Sequence, residues 1–158
     1  MDNLKISIRP STVDDLAQIQ KIFVETILTI CKDDYSPEQI QAWTSSVENT
    51  ERWLEKLNSQ YFVVAEVPGQ IVGFASLEND NHIDLLFVHK DFQRQGIANK
   101  LYSEIAEEAL KKKATTLNSN VSQTARPFFE NKGFKIIKRN TKLIMGVEIF
   151  NYKMAKPF

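Results

Sequence analysis

The sequence predicts an α+β domain, a mixed sheet of six or seven strands with helices on both faces. Three observations predict it. Strand-like runs cluster between Tyr61 and Val88, divided by the turn segments Pro68-Gly69 and Asn79-Asp80-Asn81. A long amphipathic helix follows, with Ile97, Leu101, Ile105 and Ala109 recurring every fourth residue. Strands first and then strand–helix–strand give a mixed sheet. No linker or repeat divides the chain, so residues 1–158 read as one domain, large enough to bury roughly 70% of its unfolded surface.

Leu4 to Arg9 alternates Leu4, Ile6 and Ile8 on one face and predicts a strand. Thr12, with Asp15 three residues on, marks the start of a helix through Leu16, Ile19, Ile22, Phe23, Ile27 and Ile30. Ser36-Pro37-Glu38 starts a second helix, with Ser as cap and Pro at the first helical position. Thr50-Glu51 opens a third, carrying Trp53, Leu54 and Leu57. Tyr61–Val67 and Gln70–Glu78 form a hairpin, and His82–Val88 is the next strand. The long helix runs from Ile97 to about Lys113. Thr115–Asn118 is a short strand, and Ser122 caps a helix ending at Gly133. Phe134–Arg139 and Leu143–Met154 close the sheet as an antiparallel pair hinged at Gly146.

Composition bounds the function classes. Apolar residues make up 42% and charged residues 25% of the chain, as in ordinary globular proteins. Twenty basic residues balance twenty acidic ones, which gives no global field for nucleic acid or anionic membrane. The Lys111-Lys112-Lys113 run suits the negative end of the long helix. A single cysteine, Cys31, allows no internal disulfide. The N-terminus has no apolar signal core and no long apolar run follows, so a bacterial-type cytoplasmic enzyme is expected.

The most informative segment is Gln93-Arg94-Gln95-Gly96-Ile97-Ala98, between a strand and the long helix. The first N–H groups of a helix lack internal partners and lie at the positive end of its dipole. No acidic residue occupies this first turn, Gly96 allows close approach to the backbone, and Arg94 adds charge. The combination makes a phosphate site. A bland alternative is that Gly96 only permits a tight turn. The segment lacks Gly-Lys-Ser/Thr and Gly-x-Gly-x-x-Gly, which excludes nucleoside-triphosphate and dinucleotide loops.

Gln93-x-x-Gly96-x-Ala98 resembles the pyrophosphate loop of the GCN5-related N-acetyltransferases (GNAT superfamily). Ser122-Gln123-Thr124-Ala125 through Phe128-Phe129-Glu130 to Gly133-Phe134 is similar to that family's second signature, with Ser122 for the usual Asn and Phe129 for the usual Tyr. Ile6 to Ser11 and the Asp-rich helix start resemble its first strand and turn. The resemblance implies the GNAT fold with a bulged fourth strand, acetyl-CoA as co-substrate, and no metal. It further implies that the Leu86 N–H lies near the acetyl oxygen and that Phe87 and Val88 lie in the segment lining the pantetheine arm. The amides of Gln93, Arg94, Gln95, Gly96, Ile97 and Ala98 would hold the pyrophosphate. Ser122, Phe128 and Phe129 would border the thioester, with Ser122 serving as cap alone or as cap and contact.

An alkyl-ammonium, with pKa about 10.4, must lose a proton before it can attack. His82 and Asp84 are two residues apart on a strand, hence on one face, with Leu86 and Val88. His82 falls where relatives in the superfamily carry a catalytic base. Either His82 is the base, its other nitrogen held by a carboxylate, or Asp84 recruits the ammonium and His82 relays protons through water. A third alternative makes His82 a solvent-facing strand start and Asp84 a partner for Lys or Arg. Glu78 is a further candidate, and His89, in the loop, is not expected to move protons. Tyr35 and Trp43 either wall an acceptor pocket or belong to the core. Asp33-Asp34 either attracts a cationic acceptor or is solvated. The expected partner is a small amine, amino-acid-like or aminoglycoside-like, and an exposed last strand would permit a homodimer. A non-catalytic acyl-CoA-binding module on the same fold is the alternative.

Overall fold

The computed structural model describes residues 5–158, so Leu4 and the start of the first expected strand lie outside the described residues. Seven strands form one sheet: β1 (Ser7–Pro10), β2 (Tyr61–Val67), β3 (Gln70–Glu78), β4 (His82–Val88), β5 (Thr116–Val121), β6 (Lys135–Ile144) and β7 (Val147–Pro157). Their spatial order is β1-β2-β3-β4-β5-β7-β6, and only β4–β5 is parallel. Helices α1 (Leu16–Ile30), α2 (Pro37–Thr44) and α3 (Thr50–Ser59) bring Phe23, Ile40 and Trp53 into one core cluster with Phe74. Helix α4 (Ile97–Lys111) packs Leu101 and Ile105 into the other cluster, where Phe129 of the short α5 (Arg126–Asn131) joins them.

Local chemistry fixes several boundaries. The Asp15 carboxylate accepts the Thr12 N–H at 2.8 Å and hydrogen bonds from the two terminal Arg9 guanidinium nitrogens at 2.9 Å, which ties β1 to the start of α1. Ser36 and Gln39 cap α2 reciprocally, with Pro37 at its first position. Met145 and Gly146 both have positive φ, 51° and 76°, as a two-residue hairpin turn requires. Gly146 is therefore a turn between two strands, not a hinge inside one.

Four further expectations need correction. β5 runs to Val121 rather than ending at Asn118, because β7 pairs with it along its whole length. α5 starts at Arg126, while Ser122 Oγ accepts the Ala125 N–H at 3.1 Å and so caps the turn ahead of the helix. The last strand is interior, and β6 is the edge. Ile137 is a bulge on that edge, flanked by exposed Lys135, Lys138, Arg139 and Lys142, features that oppose edge-to-edge pairing.

The fourth correction concerns β4. Ser76 pairs with Leu85 and Leu77 with Ile83, so Asp84 is an extra residue with no partner on β3. This bulge resets the alternation. Ile83, Leu86 and Val88 pack toward α4, whereas Leu85 and Phe87 pack toward α1–α3, and Asp84 reaches α3. Asp84 thus does not share a face with Leu86 and Val88.

Candidate active site

The bulge opens the sheet. β4 and β5 pair only at His82–Asn118 and Ile83–Ser119, and the last rung is reinforced by Ser119 Oγ donating to the Ile83 carbonyl at 2.7 Å. Beyond it the two strands part, and the β5-facing edge of β4 loses its ladder partners. A cavity of about 310 Å³ occupies the gap, with Asp84, Leu86, Phe87, Ser122 and Phe129 among its walls. Further along, the Val88 carbonyl accepts Thr26 Oγ1 at 3.0 Å and Gln93 Nε2 at 2.7 Å. The Gln93 side chain therefore ties the loop to the strand, leaving its backbone as the part free to face an anion.

At the end of β4 the chain turns through exposed Arg94, φ 60°, and Gly96, φ 83°, into α4. Among the described residues no hydrogen-bond acceptor meets the N–H groups of Gly96, Ile97, Ala98 or Asn99. The first turn holds no acid, and a Cβ built on Gly96 would meet nothing within 4 Å. Free amides, an open approach and a positive helix end fit a diphosphate. Ile97, 1% exposed, anchors this helix start on the sheet. Gly73 of β3 makes the anchoring possible: a Cβ there would lie 2.9 Å from the Phe87 carbonyl and 3.2 Å from Ile97 Cγ2. The sequence signal for Gly73 was an isolated glycine inside a strand, a mark of close backbone approach.

Asp84 faces the cavity but is not free. Lys56 Nζ lies 2.5 Å and Gln60 Nε2 2.9 Å from its Oδ2, and Gln60 Nε2 also reaches Glu78 Oε2 at 3.3 Å. Burial pushes the Asp84 carboxyl up, but the Lys56 and Gln60 hydrogen bonds and the Lys56 charge outweigh it and hold it below the usual range. Asp84 is consequently an anion at neutral pH. His82 does not line the cavity. Its Nδ1 meets Asn118 Oδ1, so a carboxamide rather than a carboxylate orients the ring. His89 Nδ1 accepts the Asp91 N–H at 3.0 Å, a local cap.

Tyr35 and Trp43 both line the cavity, 5.3 Å apart between ring centroids. Tyr35 is also core, 5% exposed. Its hydroxyl accepts the Gln123 N–H at 2.8 Å and donates to the Phe150 carbonyl at 3.2 Å, joining the β5–α5 turn to β7. Burial pushes this phenol up to about 12. Phe129 presents its ring to the cavity while packing 5.1 Å from Phe134. Phe128 packs instead against Tyr102 and does not line the cavity. Asp34 accepts Thr124 Oγ1 at 2.8 Å, outside the cavity. Cationic residues the sequence did not single out, Arg52, Lys56 and Lys142, complete the lining. Among the described residues no cluster of His, Cys, Asp or Glu is arranged to hold a metal ion, and no helix is long and apolar enough to cross a membrane.

Comparison with known proteins identifies the family and the fold. The acetyltransferase (GNAT) domain family matches residues 31–156. The chain is 35% identical over 149 residues to the uncharacterized N-acetyltransferase YafP of Escherichia coli K12, covering 94% of each chain. It superposes with TM-score 0.94 and 33% identity on a GCN5-related N-acetyltransferase from Rhodopseudomonas palustris, covering 100% of this chain and 99% of that one. The PaiA N-acetyltransferase of Thermoplasma acidophilum, solved in complex with coenzyme A, shares the fold at TM-score 0.81 and 18% identity, with 98% and 100% of the two chains covered. The chain belongs to the GNAT family and is an acetyl-CoA-dependent N-acetyltransferase.

Proposed function

We propose that the protein transfers the acetyl group of acetyl-CoA to the primary amine of a small, amino-acid-like acceptor, by direct attack with both substrates bound. The observation that carries this reading is the cavity at the β4–β5 divergence, continuous with a strand edge that leads to the free amides at Gly96. When bound, acetyl-CoA supplies a thioester, an acyl group already activated for transfer. Overall, a C–N bond forms and a C–S bond breaks, and the proton lost by nitrogen ends on the thiol.

The chain's own residues divide the work. Amides from Gln93 to Ala98, with Arg94, bind the diphosphate, and the β4 edge from Leu86 to Val88 positions the arm. The Leu86 N–H polarises the acyl oxygen. Ser122 and Phe129 border the thioester, while Tyr35 and Trp43 wall the acceptor side, with Phe128 supporting Phe129 from behind. Ionised Asp84 accepts a hydrogen bond from the incoming amine and orients its lone pair. Lys56 beside it disfavours the ammonium form, so the amine arrives more readily deprotonated. His82 takes the proton through water, because Asp84 binds protons too weakly to keep one at neutral pH.

Thiol release from acetyl-CoA, measured across a panel of primary amines, tests this reading. Turnover with at least one small amine and a linear, intersecting double-reciprocal pattern are expected. A ping-pong pattern would overturn direct attack, and no turnover by protein that binds CoA would overturn the assignment of a small amine acceptor.

A further inference from the structure

The charge of the cavity is at odds with that of the chain. The whole protein is neutral, with twenty basic and twenty acidic residues, yet the cavity is lined by Arg52, Lys56 and Lys142 against Asp84 alone. Lys56 and Gln60 both donate to Oδ2 of Asp84, so Lys56 already offsets its charge. Arg52 and Lys142 are exposed, and among the described residues neither has an anionic partner. They come from opposite halves of the sheet: Arg52 from α3, over β2, and Lys142 from β6 at the far edge. Arg139 does not line the cavity, but its guanidinium carbon is 4.1 Å from the centroid of the Phe150 ring that does. The diphosphate site does not explain them, because the loop from Gln93 to Ala98 is not part of this lining. The same lining holds the aromatic rings of Trp43, Trp53, Phe87 and Phe150.

Resting on the acetyl-transfer reading, we infer that the acceptor carries a carboxylate as well as its reactive amine, and that Arg52 and Lys142 bind that carboxylate. The substrate class is an amino acid with an apolar, aromatic-compatible body. Polyamines and aminoglycosides, which bring only positive charge, are disfavoured by the same lining. The arrangement separates two tasks. A carboxylate held at the cationic mouth binds the acceptor, while the same positive surroundings favour the neutral, nucleophilic form of its amine.

The test compares ligands that differ only in that charge. CoA-saturated protein is titrated by calorimetry with N-acetyl-L-phenylalanine and with its uncharged amide, and thiol release is measured with L-phenylalanine, its amide and spermidine. The acid is expected to bind at least about tenfold more tightly than the amide. The free amino acid is expected to exceed the other two in kcat/KM. The Arg52→Gln/Lys142→Gln double variant should lose this discrimination through KM while its CoA affinity stays at the wild-type value. Equal binding of acid and amide, a preference for spermidine, or undiminished discrimination in the double variant would overturn the inference. Because the binding comparison needs no turnover, its failure beside normal thiol release would leave the acetyl-transfer reading intact.

Discussion

Lys56 Nζ and Asp84 Oδ2 lie 2.5 Å apart, with each side chain about one-fifth exposed, and Asp84 is the residue that β4 has in excess over β3. The bulge turns this carboxylate out of the strand alternation and hands it to α3. Breaking such a pair from one side leaves an uncompensated charge in a partly buried place. Lys56→Met should destabilise the protein by about 1–3 kcal/mol, less than a fully buried pair because solvent screens part of the loss. The sign with pH follows from the depressed Asp84 carboxyl. Its stabilisation is full above the ordinary carboxylate value of about 3.9 and is lost as pH falls through the lower folded value. Denaturant unfolding near neutrality and below pH 4 should therefore show the wild type and Lys56→Met converging on acidification.

Proton removal should be separable from donor binding. His82→Ala and Asp84→Asn should each lower kcat by roughly 10²-fold while CoA affinity remains near wild type. Wild-type turnover in both variants would move the base elsewhere, with Glu78, linked to Asp84 through Gln60, the next position to substitute.

Gly73→Ala tests the seat of α4. A methyl group 2.9 Å from a backbone carbonyl cannot be relieved by a side-chain rotation. The substitution should cost about 1–3 kcal/mol in thermal or denaturant unfolding and raise the acetyl-CoA KM as the helix start shifts. Unchanged stability would mean that β3 and β4 separate more easily than their packing indicates.

Phe129 and Tyr35 bear on the leaving sulfur. Phe129 has no proton to give, and the Tyr35 hydroxyl is held by Gln123 and Phe150 and pushed up to about 12. Reprotonation by water is then the expected route, because thiols have a pKa of only about 8.5. Phe129→Tyr should raise kcat modestly if sulfur protonation limits the rate and leave it flat if amine deprotonation does. Tyr35→Phe should cost about 1–3 kcal/mol of stability through its orphaned partners and leave the alkaline limb of the pH–rate profile in place. Loss of that limb would instead make Tyr35 the acid.

Much of the fold was legible because its signals are local. Ser36-Pro37, Pro68-Gly69 and the four-residue spacing from Ile97 to Ala109 each carry their own structure. What period-two counting could not show was the phase shift at Asp84, since a bulge leaves no compositional mark and moves every later side chain to the other face. The open, acid-free helix start was legible as a pattern of residues around Gly96, whereas the cationic lining was not. Arg52 and Lys142 are ninety positions apart in sequence, on α3 and on the edge strand β6, and share one cavity only in the folded chain. Tyr35 also escaped a single assignment because it is both wall and core.

Calorimetric titration of CoA into the wild type and Gly96→Glu tests the donor site most directly. Gly96 has open space around it, so the variant should fold, with about 1–2 kcal/mol of strain from the left-handed backbone. A Gly96→Ala control carries that strain without the charge. Wild type and Gly96→Ala should bind CoA, and Gly96→Glu should show no measurable heat of binding while retaining its circular dichroism spectrum. Equal CoA affinity in a folded Gly96→Glu protein would contradict the placement of the diphosphate on these amides.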